Sequence, residues 1–152
     1  MCRDAPPIDT SGWLSQSPPV LQLEKDGVRW EMEPSFAALL GTVLDSSADI
    51  VKESPAKLVT RHQAAGRTFY IKRYRHDAVP LRPLKFFFKS SQARQEWELA
   101  GQLEARGIPI VTHLALGERH GFGVLESILI TEGFDGKSLE ETRHPQPQAI
   151  MD

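Results

Sequence analysis

Arg67-Thr68-Phe69-Tyr70-Ile71-Lys72-Arg73-Tyr74 is a strongly β-prone run with a lysine set into its second half. Side chains alternate across a strand, so Lys72 shares a face with Tyr70 and Tyr74, while Phe69 and Ile71 point the other way. Downstream, Ala93-Arg94-Gln95-Glu96-Trp97-Glu98-Leu99-Ala100 has the periodicity of a helix. Glu96, Leu99, Ala100 and Leu103 follow its i, i+3, i+4, i+7 stripe, which places Glu96 on the inward face. Glu98 lies about 200° around, with Arg94, Gln95 and Gln102, on the solvent side. A carboxylate turned toward a sheet needs a cationic partner, because burying an unpaired charge is costly. Lys72 is the natural candidate. Either residue alone would most often be a solvated surface group. The matched order and faces give the pair its weight.

Working outward, the spacing predicts an antiparallel hairpin, because Lys57-Leu58-Val59-Thr60-Arg61-His62 precedes the lysine strand across Gln63-Ala64-Ala65-Gly66. A strand-like pattern begins at Asp49. Ser90 or Ser91 caps the helix, which runs to Arg106, where Gly107 can take a left-handed turn and Pro109 prevents continuation. Ile108 to Leu116 and Val124 to Thr131 read as two more strands, joined by a turn over Gly117 to Gly123. Nearer the N-terminus, Val20-Leu21-Gln22-Leu23 and Val28-Arg29-Trp30-Glu31-Met32 flank Asp26-Gly27, the signature of a short hairpin. Ser35 then caps a helix carrying Phe36, Leu39, Leu40 and Val43 at helical spacing.

The expected architecture is therefore α+β: an antiparallel sheet of about five strands with one main helix, plus an N-terminal hairpin and helix. Its divisions are a tail over 1–19, the hairpin and helix over 20–48, a sheet-and-helix lobe over 49–141, and a second tail over 142–152.

A strand lysine oriented by a helix glutamate is how kinases hold ATP phosphates. The carboxylate positions the ammonium, which neutralises oxygen charge near the transferring phosphoryl group. Around that pair the chain resembles the lipopolysaccharide core kinase family, which phosphorylates Kdo or heptose sugars. The matching segments are Phe69 to Tyr74, Ala93 to Trp97, Gly107-Ile108-Pro109, Leu116 to Arg119, Ser127 to Glu132, and Ser138-Leu139-Glu140. They stand in the family's order over residues 49–141.

The resemblance implies a protein-kinase-like N-terminal lobe. It implies that Lys72 contacts ATP phosphates, that Glu96 pairs with it, and that Glu132, Gly133 and Phe134 form the hinge against the adenine edge. Tyr70 stands where protein kinases carry a small residue above the adenine.

Two departures matter. The phosphate-covering turn, Lys52-Glu53-Ser54-Pro55-Ala56, has no glycine and includes a proline that removes one N–H donor. The catalytic Asp, and the Asn and Asp that hold magnesium, belong after the hinge. Asp135 and Asp152 lack that context. Magnesium is thus expected only with a complete C-terminal lobe, whose absence would make the chain a truncated, inactive product or leave a second chain to supply it.

Composition excludes some classes and permits others. A net charge of −2, with 40% hydrophobic and 25% charged residues, fits a soluble globular domain and demands no nucleic-acid partner. Cys2 is the single cysteine, so no intrachain disulfide can form. The N-terminus lacks a signal-peptide apolar run, and no segment reaches the ~18 apolar residues of a spanning helix. A cytoplasmic location follows as an expectation. The histidines lack metal-ligand spacing, so no metal site is expected.

Between 61 and 94, nine Lys and Arg residues face a single acid, Asp77. Lys85 and Lys89 flank Phe86-Phe87-Phe88, which suits peripheral contact with the inner membrane on its cytoplasmic side, or a phosphorylated sugar, better than nucleic acid. The competing function is a non-enzymatic module that uses this basic face for anionic lipid, sugar phosphate or a protein partner.

Overall fold

The structure, a computed structural model, describes residues 19–76 and 89–133. The tail up to residue 18, Lys85 with its neighbouring phenylalanines, Phe134 and the C-terminal tail lie outside the described residues. Seven strands form one sheet. These are β1 (Leu21–Lys25), β2 (Val28–Met32), β3 (Ala48–Ser54), β4 (Lys57–Ala64), β5 (Arg67–Arg75), β6 (His113–Gly121) and β7 (Gly123–Glu132). Their spatial order is β1-β2-β6-β7-β5-β4-β3, and every pairing is antiparallel. Helix α1 (Ala37–Asp45) follows β2, and α2 (Gln92–Ala105) lies between β5 and β6.

The α+β class is as expected, but the N-terminal hairpin is part of the main sheet. β2 pairs with β6, setting Trp30 opposite Gly117 and Glu31 opposite Leu116. Gly117 permits this closeness. A Cβ there would lie 2.8 Å from Trp30 Cζ3 and 2.9 Å from Val28 Cγ1, inside contact distance. For the same reason Gly117 to Gly121 is strand, and the predicted long turn shrinks to Phe122. Ile108 to Thr112 is not strand; β6 begins at His113.

The two faces of the sheet carry different cores. Trp30, Met32, Phe69, Ile71, Ala115, Ile128 and Ile130 form the larger one with Phe36, Leu40 and Val43, which are on or beside α1. The other face holds a smaller cluster of Tyr74, Leu116 and Leu129 under Ala93 of α2, with Trp97 packed against it. Strand alternation accounts for the division: Phe69 and Ile71 supply one core, and Tyr70, Lys72 and Tyr74 face α2.

Both helix N-termini differ in detail from each other. Ser91 caps α2, accepting the Arg94 N–H at 3.2 Å. Ser35 does not cap α1; its hydroxyl donates to Glu33, and a 3₁₀ turn over Pro34–Phe36 leads into the helix. At the far end of α2, Gly107 has φ 72°, and the Gly107 and Ile108 N–H groups return to the Glu104 and Leu103 carbonyls. This left-handed ending stops the helix where the sequence predicts.

Candidate functional site

Lys72 sits in the centre of the α2 face, opposite Val59 on β4 and Leu129 on β7. Ala93 is fully buried and Trp97 packs on Tyr74, Leu116 and Leu129, which fixes α2 across the sheet. Glu96, one turn from Ala93, is thereby held over β5. Lys72 Nζ donates to Glu96 Oε2 at 2.8 Å. The Tyr74 hydroxyl donates to the other oxygen, Oε1. Burial by itself would push the Glu96 carboxyl up, but the bonds from Lys72 and Tyr74 hold it below the ordinary carboxylate range. Burial raises the Tyr74 phenol, and its bond to Glu96 raises it further. The group is thus a Glu96 carboxylate that accepts from Lys72 Nζ and from a neutral phenol.

The pair is not sealed in the core. Side-chain exposure is 30% for Lys72 and 36% for Glu96, because both stand on the wall of a cleft of about 720 Å³. Tyr70, Lys72, Glu96 and Glu132 all line it, together with Val59 and Thr131. Four of the residues singled out from the sequence are therefore brought to one place. Leu99 also lines the cleft and is 55% exposed, so the helical stripe faces this opening as well as the sheet. Buried Ala100 carries the packing instead.

Glu132 and Gly133, read from the sequence as part of a hinge, are tied into the sheet. The Glu132 N–H donates to Thr112 O at 2.9 Å, and the Gly133 N–H donates to Thr68 O at 2.7 Å. The Glu132 carboxylate accepts from Arg67 at 2.7 Å. A Cβ on Gly133 would lie 2.8 Å from Thr68 Cβ, so this corner is closely packed.

A second polar network contradicts the solvent-side placement of Arg94. Its guanidinium donates to Glu31 Oε1 at 2.7 Å and to Glu118 Oε2 at 3.0 Å. Ser91 donates to Glu118 Oε1 at 2.5 Å. These bonds bring Glu118 below the ordinary carboxylate range against the upward push of burial. The first turn of α2 crosses β6 and β2, so Arg94 meets strand carboxylates that helical periodicity alone does not reveal. One signal was available: Glu118 lies two residues past Leu116, hence on the same face, once Gly117 to Gly121 is recognised as strand.

Arg61, Arg67, Arg73 and Arg94 of the basic segment are each paired, with Asp49, Glu132, Glu126, and Glu31 and Glu118 respectively. Charge excess along the sequence is thus partly cancelled in space. Among the described residues, no group of three or more His, Cys, Asp or Glu is placed to hold a metal ion. No helix among them is long and apolar enough to cross a membrane.

No family model and no curated protein matches the chain. Among solved structures it is similar to WaaP in a complex with acyl carrier protein, at 22% identity and a TM-score of 0.51. The similarity covers 74% of this chain and 43% of the WaaP chain, so this chain spans less than half of that protein's length. Sheet order, the helix across it and this likeness together define the fold as α+β, of the kinase-like N-terminal-lobe type.

Proposed function

We propose that the cleft binds the phosphates of ATP and that the chain is the nucleotide-binding lobe of a kinase acting on a lipopolysaccharide inner-core sugar. The observation that carries this is the Lys72–Glu96 bond at 2.8 Å on a solvent-reached cleft wall. The ordered motifs resemble the lipopolysaccharide core kinases, and the fold likeness to WaaP points the same way. ATP would supply the phosphoryl group. Lys72 would neutralise its oxygens, Glu96 would keep the ammonium aimed, and Tyr74 would keep Glu96 from rotating away. Tyr70 and the Glu132–Gly133–Phe134 hinge would bound the adenine end.

Glu96 is already committed to two donors, and no metal cluster stands among the described residues. The magnesium ligands and the group that orients the acceptor hydroxyl would come from a C-terminal lobe, in this chain's continuation or in a second chain. A Kdo or heptose acceptor would place the reaction on the cytoplasmic side of the inner membrane, with Lys85 and Lys89 toward the lipid.

Titration calorimetry with ATP tests this reading. Charge-assisted bonds are worth about 1.5–3 kcal/mol, so Lys72→Ala should weaken ATP binding by about 10- to 100-fold. Equal affinity in the variant, or no binding of ATP to the wild type, would refute it.

A further inference from the structure

A nucleotide-clamping lobe ordinarily brings the N–H groups of a glycine-rich turn onto phosphate oxygens. The β3–β4 turn has no glycine for this in the present protein. Pro55 has no N–H. The Lys57 N–H donates to Ser54 Oγ at 3.1 Å, and that hydroxyl donates back to Lys57 O at 3.2 Å. The Ala56 carbonyl is taken by the Arg75 N–H at 2.9 Å. The turn is closed on itself.

What it presents to the recess beside the cleft is a side chain. Lys57, the first residue of β4, lies opposite Tyr74, two positions along from Val59, which faces Lys72. Lys57 and Lys72 therefore share the α2 face, about 7 Å apart along the strand direction. The Lys57 ammonium lies 4.9 Å from the centre of the Tyr74 ring, whose face attracts a cation and holds the long stem in place. The recess it lines shares Glu96 and Leu99 with the main cleft.

The local charge balance favours an anion. Lys72 and Lys52 both repel the Lys57 ammonium, and among the described residues Glu96 is the acid that opposes them. That acid already accepts from Lys72 and Tyr74. Of the other charged groups on this face, Arg61, opposite Tyr70, is paired with Asp49. Burial keeps His113 below its ordinary range, so the positive charge here comes from the lysines and not from this ring. Burial, then repulsion from Lys72, lowers Lys57 as well, with Glu96 opposing.

We propose that Lys57 is the second phosphate-binding cation of the cleft, replacing the missing turn N–H groups with a charged side chain that grips the polyphosphate end of a nucleoside triphosphate. The assignment rests on the nucleotide reading above. Lysine suits the task, since a point charge on a flexible stem needs no fixed backbone geometry to reach an oxygen.

The test is calorimetric titration of wild type, Lys57→Gln and Lys57→Arg with sodium tripolyphosphate, ATP and adenosine in one buffer, with Lys72→Ala alongside. Lys57→Gln should weaken tripolyphosphate and ATP by about 10-fold and leave adenosine unchanged, and Lys57→Arg should recover most of the loss. Tripolyphosphate affinity lowered by Lys72→Ala but untouched by Lys57→Gln overturns the role of Lys57 and leaves the nucleotide reading intact. Tripolyphosphate binding that depends on Lys57, with ATP no tighter and adenosine silent, supports the anion site and removes the nucleotide reading. A wild type that does not bind tripolyphosphate overturns the proposal.

Discussion

Arg94→Ala should destabilise the protein far more than loss of an ordinary surface arginine. The guanidinium joins α2 to β2 through Glu31 and to β6 through Glu118, at 2.7 and 3.0 Å. Side-chain exposure is 8% at Glu118, 20% at Glu31 and 27% at Arg94. Removing one member of a fully buried pair costs about 3–5 kcal/mol, because the other charge is left without compensation. This network is partly solvated and Ser91 would still donate to Glu118, so a smaller cost, about 2–3 kcal/mol, applies. For a chain of this size that is a fall in Tm of about 5–12 °C.

Urea unfolding followed by tryptophan fluorescence measures the cost, with Arg61→Ala as the exposed control, expected at no more than about 1 kcal/mol. A Glu118→Gln change should cost less in the Arg94→Ala background than in the wild type, since the Glu118 carboxylate has there already lost its cation. The pH dependence has a defined sign. In the wild type the Glu118 carboxyl is depressed, so its contribution is complete above the unfolded-state glutamate value of about 4.3 and fades as pH falls through the folded value. In Arg94→Ala burial would raise it, and the variant would lose stability as pH rises past that value. The gap between the two proteins should be widest near neutrality and narrow toward pH 4. A cost equal to that of Arg61→Ala, or one that is flat with pH, refutes the reasoning.

Two further outcomes follow from packing and from histidine burial. Gly117→Ala should cost about 1–3 kcal/mol by urea midpoint and shift the emission of buried Trp30, because the new Cβ would lie 2.8 Å from its ring; unchanged emission and stability would mean that β2 and β6 do not approach this closely. His62 is buried between the Ser46 and Thr60 hydroxyls, and burial lowers its pKa, so wild-type stability should be full above about pH 6.5 and decline as pH falls through the folded value. His62→Gln should flatten that decline between pH 7.5 and 5, leaving the part due to His113; an unchanged slope would assign the effect elsewhere.

The central pair was legible because two independent periodicities converge on it. A two-residue repeat sets Lys72 on one face of β5, a helical repeat sets Glu96 on the inward side of α2, and a buried charge demands a partner. The strand-rich α+β class, the Ser91 cap and the Gly107 ending were legible for similar reasons, each resting on contacts within a few residues. Arg94 was misread because its partners are 63 residues away at Glu31 and 24 away at Glu118. No local pattern on α2 reports which strands the helix crosses. The extent of β6 was hidden for a related reason: glycines at 117, 121 and 123 carry the signature of a turn, yet Gly117 serves to admit Trp30 from another strand.

Local sequence therefore determined that β4, β5 and β7 are strands, where α2 starts and stops, and which faces Lys72 and Glu96 occupy. These follow from backbone preference and side-chain alternation, which act over a few residues. Tertiary structure alone decided that the N-terminal hairpin joins the sheet, that Tyr74 completes the grip on Glu96, that Lys57 stands beside Lys72, and that Arg61, Arg67, Arg73 and Arg94 pair with distant acids. Those outcomes depend on sheet order and helix docking, which are set by the packing of residues far apart in the chain.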